Sequence, residues 1–224
     1  MAVGKLFIIA GPIGNLEDIT LRALNTLKSV DYVLSEDTRE TDKILSKFDI
    51  KIPQISYRDQ IHFKIFPKIA EMLEQGKNIG LMSDSGTPLI SDPGYKLVSE
   101  LRNRGYEIIS IPGPSAIIAA LSVSGLPTDK FIFLGFLPKK EHQRKQMLQK
   151  YGALDATLTI YESPYRIVRL IFEVKEILGD RKICIIKDLT KVFEKITTGK
   201  ISDIETEITE LPQKGEYTLL ISKE

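Results

Sequence analysis

Four short segments of this chain place glycine or proline beside small polar and acidic residues, each directly behind an apolar run. They are "AGPIGNLEDIT" (10–20), "SEDTRET" (35–41), "SDSGTPLISDPG" (83–94) and "IPGPSA" (111–116). Such turns let backbone approach a ligand closely at low entropic cost, so they suit a compact ligand read largely by main-chain groups. The second also sets Glu36, Asp37 and Arg39 together at a strand end, and the third carries Asp84 and Asp92. Other chemistries fit poorly. The chain has neither G-x-G-x-x-G nor G-x-x-x-x-G-K-[ST], which weakens a dinucleotide or P-loop site, and the hydrolase elbow G-x-S-x-G is missing. His62 and His142 lack neighbours at metal-ligand spacing, so no metal site is expected. Cys184, the single cysteine, lies in the apolar "KICIIKDL", where a small core residue is the expected role.

The elements that must position these loops follow from periodicity. "KLFIIA", "DYVLSED", a strand near 52–57, "NIGLMS" and "YEIISI" read as strands. Between them lie helices over about 19–30, with Leu21, Leu24 and Leu27 at helical spacing, 38–48, 62–75 and 95–104. Asp92, ahead of Pro93-Gly94, reads as the signal opening the last of these. Continuously apolar strands separated by helices imply a parallel sheet covered on both faces. In such a sheet ligands bind beyond the carboxyl ends of the strands, where all four loops fall. From "SGLPTDK" onward the texture changes to longer strand-like runs, with helices over about 141–151, 165–178 and 201–208. The middle one carries Ile167, Leu170, Ile171, Val174 and Ile177 as a core-facing stripe. We therefore expect an α/β chain of two domains, 1–124 with a mostly parallel sheet and 125–224 mixed.

Charge is nearly balanced, 31 basic against 30 acidic residues for a net +1, so the whole chain is not marked as a nucleic-acid or anionic-membrane binder. The strongly basic segment is "KKEHQRKQMLQK" (139–150), read as a solvated helix face or, more sharply, as a phosphate-contacting strip. The N-terminal apolar run is too short for a signal peptide, and no run approaches a membrane span, so a soluble cytoplasmic protein without a membrane partner is expected.

In order, "GPIGNLEDITLRAL", "EDTR", "SDSGTPLISDPG", "PGPSA", "GFLPKK", "YESPYRI" and "KDLTK" resemble the run of signatures of the ribosomal RNA small subunit methyltransferase I family, over essentially the whole chain. That family lies in the tetrapyrrole-methylase-like (class III) methyltransferases. The resemblance implies two α/β domains with S-adenosyl-L-methionine in the cleft between them. It also implies a homodimer that 2'-O-methylates a cytidine in the decoding region of 16S rRNA within the small ribosomal subunit. By the class pattern, Pro12, Ile13 and Gly14 lie beneath the cofactor. Asp84, Gly86 and Thr87 border its methionine or ribose part, Ser115 and Ala116 face it with backbone, Tyr161 and Glu162 close over the adenosyl moiety, and Lys187 and Gly215 complete the pocket. Two departures stand out. Lys187-Asp188 replaces the Arg-Glu of many members, keeping charge but not guanidinium geometry, and many members continue past the last strand into a further helical segment.

A ribose hydroxyl benefits from a base. Glu36 or Asp37 would accept its proton while Arg39 holds a phosphate or restrains the carboxylate; the same residues also read as an N-cap at Asp37 with an ordinary ion pair. Methylation of a small tetrapyrrole-like molecule and a non-catalytic nucleotide-binding module are the alternative functions.

Overall fold

The computed structural model describes residues 2–223. The chain divides into two compact units, 1–115 and 116–224. In the first, β1 (Leu6–Ile9), β2 (Tyr32–Ser35), β3 (Gln54–Ser56), β4 (Ile79–Met82) and β5 (Ile108–Ile111) form one sheet in the order β3-β2-β4-β1-β5. Every pairing is parallel. Helices α1 (Leu21–Ser29), α2 (Thr38–Lys47), α3 (His62–Glu74) and α4 (Tyr95–Asn103) connect the strands. They bury separate apolar clusters, one around Leu6, Leu34, Phe66, Ile69, Leu97 and the other around Ile9, Ala23, Leu27, Val33, Met82. Parallel strands buried this way need the continuous apolar runs seen in the sequence.

One detail of α1 departs from the spacing. Thr20 caps the helix by accepting from the Ala23 N–H, and the phase this sets buries Ala23, Thr26 and Leu27 while Leu21 stays 80% exposed. Leu21 is therefore not part of the core face.

The second unit opens with α5 (Ala116–Val123), followed by β6 (Phe131–Phe136), α6 (Glu141–Gly152), β7 (Thr157–Glu162), α7 (Ile167–Leu178), β8 (Lys182–Lys187), β9 (Lys195–Lys200), α8 (Glu205–Thr209) and β10 (Tyr217–Ile221). Its sheet runs β6-β7-β10-β8-β9. Only β6–β7 is parallel; the other three pairings are antiparallel. On one face, α7 buries Ile167, Leu170, Ile171 and Val174 as its stripe required. On the other, Ile117, Ala120 and Leu121 of α5 pack with Cys184, Ile186 and Leu220. That packing sets α5 in the second unit, so the division precedes the helix rather than following it at 124. Cys184 is the small core residue expected. The helix expected over 201–208 starts later, because Ile201 is buried beneath a turn in which the Asp203 N–H donates to the Lys200 carbonyl.

Candidate functional site

The carboxyl ends of β1, β2, β4 and β5 adjoin in the sheet, and hydrogen bonds join the four loops that leave them. The Gly11 N–H donates to the Gly86 carbonyl at 2.8 Å and the Gly86 N–H to the Pro12 carbonyl at 3.0 Å. The Thr87 hydroxyl donates to the Pro114 carbonyl at 3.0 Å. The Asp37 N–H donates to the Asp84 carboxylate at 2.8 Å. Gly86 adopts φ +68, the left-handed region, and a Cβ there would stand 3.0 Å from the buried Ile13 side chain; no other residue fits that crossing without strain. Gly113 likewise meets the Ala10 side chain too closely to carry a Cβ. The loop after β4 also bends through Leu89 and Ser91 at positive φ, a strained path of the kind that collects at functional sites. The partly buried Leu89 side chain packs against the first cluster and so holds it.

Three carboxyl groups on this ledge, Glu36, Asp84 and Asp92, lie close enough for their charges to interact. Burial, and then the charge of Asp84, raise the pKa of Glu36. Burial raises Asp84, against the hydrogen bond it accepts from the Asp37 N–H. Asp92 is pushed up to about 6 by burial, against a hydrogen bond from Ser83 and with the charges of Glu36 and Asp84 reinforcing the rise. Asp37 differs. It caps α2 by accepting from the Arg39 N–H, and its carboxylate takes two bonds from the Arg39 Nε, at 2.9 and 3.2 Å, and one from Nη2. That guanidinium holds the Asp37 carboxyl far below the usual range. Helix cap and ion pair thus describe Asp37 and Arg39 well. Arg58, just past β3, donates to the Glu36 carbonyl at 3.2 Å.

Asp92 does not cap α4, as the sequence suggested. Gly94, at φ 128, occupies the cap without a side-chain bond, which leaves the Asp92 carboxyl to join the acids. Neither Asp92 nor Arg58 stood out as a site residue, because pairing across strands is invisible to local spacing.

In the second unit, Tyr161 packs edge-on to Phe133 with ring centres 4.9 Å apart and against Phe136 at 5.7 Å. Thr159, on the same sheet face as Tyr161, buries a hydroxyl that has no hydrogen-bond partner. Glu162 is committed within its own unit: its carboxylate accepts from the Ser163 N–H at 2.7 Å and from Arg166 at 2.6 Å. Lys187 pairs with Asp188, which accepts from the Glu216 N–H. Gly215, at φ 99, leaves the room the Asp188 carboxylate fills, since a Cβ there would lie 2.7 Å from it. Two cations of the basic segment are spent on structure. Arg144 is 4% exposed and forks onto Glu173 at 2.5 and 2.6 Å while donating to the Pro138 and Lys139 carbonyls. Lys145 pairs with Glu176 and Glu141. Lys139, Lys140, His142 and Lys150 stay exposed, as both a solvated helix face and a phosphate-contacting strip require.

Residues 5–205 match the tetrapyrrole (corrin/porphyrin) methylases. The chain belongs to the tetrapyrrole methylase family. It is accordingly a methyltransferase. The ribosomal RNA small subunit methyltransferase I of Thermotoga maritima is 41% identical over 220 residues, 98% of this chain and 99% of that protein. Its counterpart in Rickettsia prowazekii is 45% identical over 97% of this chain and 78% of its own length. Among solved structures, uroporphyrin-III C-methyltransferase from Thermus thermophilus, complexed with S-adenosylhomocysteine, shares the fold at a TM-score of 0.67. It is 17% identical and covers 97% of either chain.

In this tetrapyrrole methylase, Pro12, Ile13, Gly14, Glu36, Asp37, Arg39, Asp84, Gly86, Thr87 and Ser115 all lie on the four joined loops or at their ends. Tyr161, Glu162, Lys187 and Gly215 belong to the second sheet and its turns, and Ala116 opens α5. Among the described residues no three His, Cys, Asp or Glu side chains gather so as to hold a metal ion, and no helix is long and apolar enough to cross a membrane.

Proposed function

We propose that this chain transfers the methyl group of S-adenosylmethionine to small-subunit ribosomal RNA, at the ribose 2'-oxygen of a cytidine in the decoding region of 16S rRNA. Similarity along nearly its whole length to methyltransferases named for that RNA carries the substrate. The joined loops and their raised carboxyl groups support the chemistry.

The donor set suits the cofactor. Adenosylmethionine presents two cationic centres, an ammonium and a sulfonium, and carboxylates that repel one another are relieved by a cation. Pro12, Ile13, Gly14, Asp84, Gly86, Thr87 and the Ser115-Ala116 backbone are assigned to it. In the second unit Tyr161 is assigned to the adenosyl part, with Glu162 supporting it and Lys187 supporting the Gly215 turn. When bound, adenosylmethionine supplies a methyl carbon whose bond to sulfur breaks with the electron pair going to sulfur, as a new bond to the ribose oxygen forms. The hydroxyl proton goes to a carboxylate. Glu36 suits that task better than Asp37, because a base works best with its pKa raised toward the working pH, whereas Arg39 makes Asp37 a very weak base. Arg39, 83% exposed at its side chain, is free to meet a phosphate with the part of its fork that Asp37 leaves open.

Methylation of a small tetrapyrrole is the competing reaction. In the basic 139–150 segment Arg144 and Lys145 are internally paired, while the exposed Lys139, Lys140 and Lys150 suit RNA better than a small molecule. The test is direct: purified protein, labelled adenosylmethionine, and 30S subunits from cells lacking the enzyme. We expect label in 16S rRNA at a nucleotide that resists alkaline hydrolysis; unlabelled RNA would refute the proposal. We infer that the protein acts as a homodimer, which light scattering on the same sample checks.

A further inference from the structure

Beyond the end of β3 the surface changes character. Phe63, in the first turn of α3, is 81% exposed and Tyr95, the first residue of α4, 70%, with Ile61, two residues before Phe63, 38% exposed. A cation lies over the Phe63 ring. The Lys96 ammonium lies 5.6 Å from the Phe63 ring centre and is anchored by donating to the Asp59 carbonyl. Arg58 and Lys64 are exposed on the same stretch of chain. Large exposed aromatics interleaved with basic groups are the composition of a single-strand nucleic-acid platform, on which bases stack while cations follow the backbone.

This surface is wired to the catalytic ledge. The Arg58 Nε donates to the carbonyl of Glu36, the proposed base. The Asp59 carboxylate accepts from the Gly94 N–H at 3.1 Å, two residues past Asp92, and from the Tyr57 hydroxyl, also at 3.1 Å. The Tyr57 hydroxyl in turn meets the buried His62 at 3.0 Å, and His62 meets Glu100 at 2.8 Å. The chain Tyr57–His62–Glu100, buried at Tyr57 and His62, therefore ties the start of α3 to α4, the helices from which Phe63 and Tyr95 project.

We propose that Phe63 and Tyr95 stack unpaired bases flanking the methylated nucleotide, with Lys96 and Arg58 on the adjoining phosphates. The inference rests on the RNA reading above and deepens it. A protein partner fits less well, because lysine is depleted from protein interfaces, whereas here Lys96 lies over the Phe63 ring and Lys64 is exposed beside it in sequence.

The test compares Phe63→Ala, Tyr95→Ala and Phe63→Tyr with wild type. It measures methyl transfer to unmodified 30S subunits, binding of a labelled single-stranded RNA oligonucleotide, adenosylmethionine affinity by calorimetry, and mass by light scattering. Each alanine variant should weaken RNA binding and raise the KM for 30S subunits by about 5- to 100-fold, with cofactor affinity and mass unchanged, and Phe63→Tyr should restore both. Lys96→Ala should lower the salt slope of RNA binding by about one. Alanine variants that bind RNA like a wild type active on RNA would overturn the platform alone. A weakened RNA affinity accompanied by loss of a dimer would overturn it too, marking the patch as a contact between copies. A wild type that neither binds nor methylates RNA would overturn the functional reading and this inference together.

Discussion

Replacing Asp92 by Asn should make the protein more stable, and by an amount that depends on pH. The Asp92 carboxyl is held at about 6 against a usual 3.8, chiefly by burial and then by the Glu36 and Asp84 charges. A carboxyl raised in the folded state contributes stability that is complete below the unfolded pKa and is lost as pH rises through the folded one. A shift of about two units at about 1.4 kcal/mol per unit puts the loss at about 3 kcal/mol by neutral pH. Asn fills the same volume and keeps a partner for Ser83 without a charge to desolvate. Urea unfolding of both proteins across the pH range measures the difference. It should favour the variant by about 1 kcal/mol near pH 4.5 and by about 3 kcal/mol near pH 7.5, with unchanged slope against urea. A difference that stays flat with pH, or a variant less stable at neutral pH, would refute the placement of Asp92 among mutually repelling acids. A stabilised variant with slowed methyl transfer is the outcome expected of a site that holds an unfavourable charge for function.

Two further perturbations test the second unit. Arg144→Leu leaves the 7%-exposed Glu173 carboxylate with Arg169 as its remaining partner and should cost about 3–5 kcal/mol in chemical denaturation; Arg144→Leu with Glu173→Leu should recover most of that. Arg144 and the hydrogen-bonded fork it makes also hold the Glu173 pKa below its usual 4.5 against burial, so this contribution is present at neutral pH and should fade as the pH falls below that usual value and through the lowered one. Thr159→Val removes a buried hydroxyl without a partner and should raise stability by about 1–2 kcal/mol, read as an increase in Tm; a fall would show that the hydroxyl is satisfied.

Much of the fold was legible because its strands are short apolar runs and α7 carries a clean stripe. The four loops were legible as neighbours because a parallel sheet gathers strand ends, and bonds from the Gly11 and Gly86 N–H groups and the Thr87 hydroxyl join them. What escaped was decided by partners distant in sequence. Arg144 looked like part of a basic face until Glu173, on the neighbouring helix, claimed its guanidinium. Asp92 looked like a helix signal until Gly94 took the cap. The exposed Leu21 shows the same limit on a smaller scale: a threonine cap set the phase of α1, and leucine spacing alone did not. At Asp37 the two readings kept open, base and cap, were separable only once the fork of Arg39 was in place.

The most direct test of the ledge as a catalytic site is single-turnover methyl transfer to 30S subunits by Glu36→Gln beside Asp37→Asn, with adenosylmethionine affinity measured on each. We expect Glu36→Gln to lose about 10²- to 10⁴-fold in rate at nearly unchanged cofactor affinity, while Asp37→Asn, still a competent helix cap, stays within about tenfold of wild type. A Glu36→Gln enzyme as fast as wild type would contradict the account.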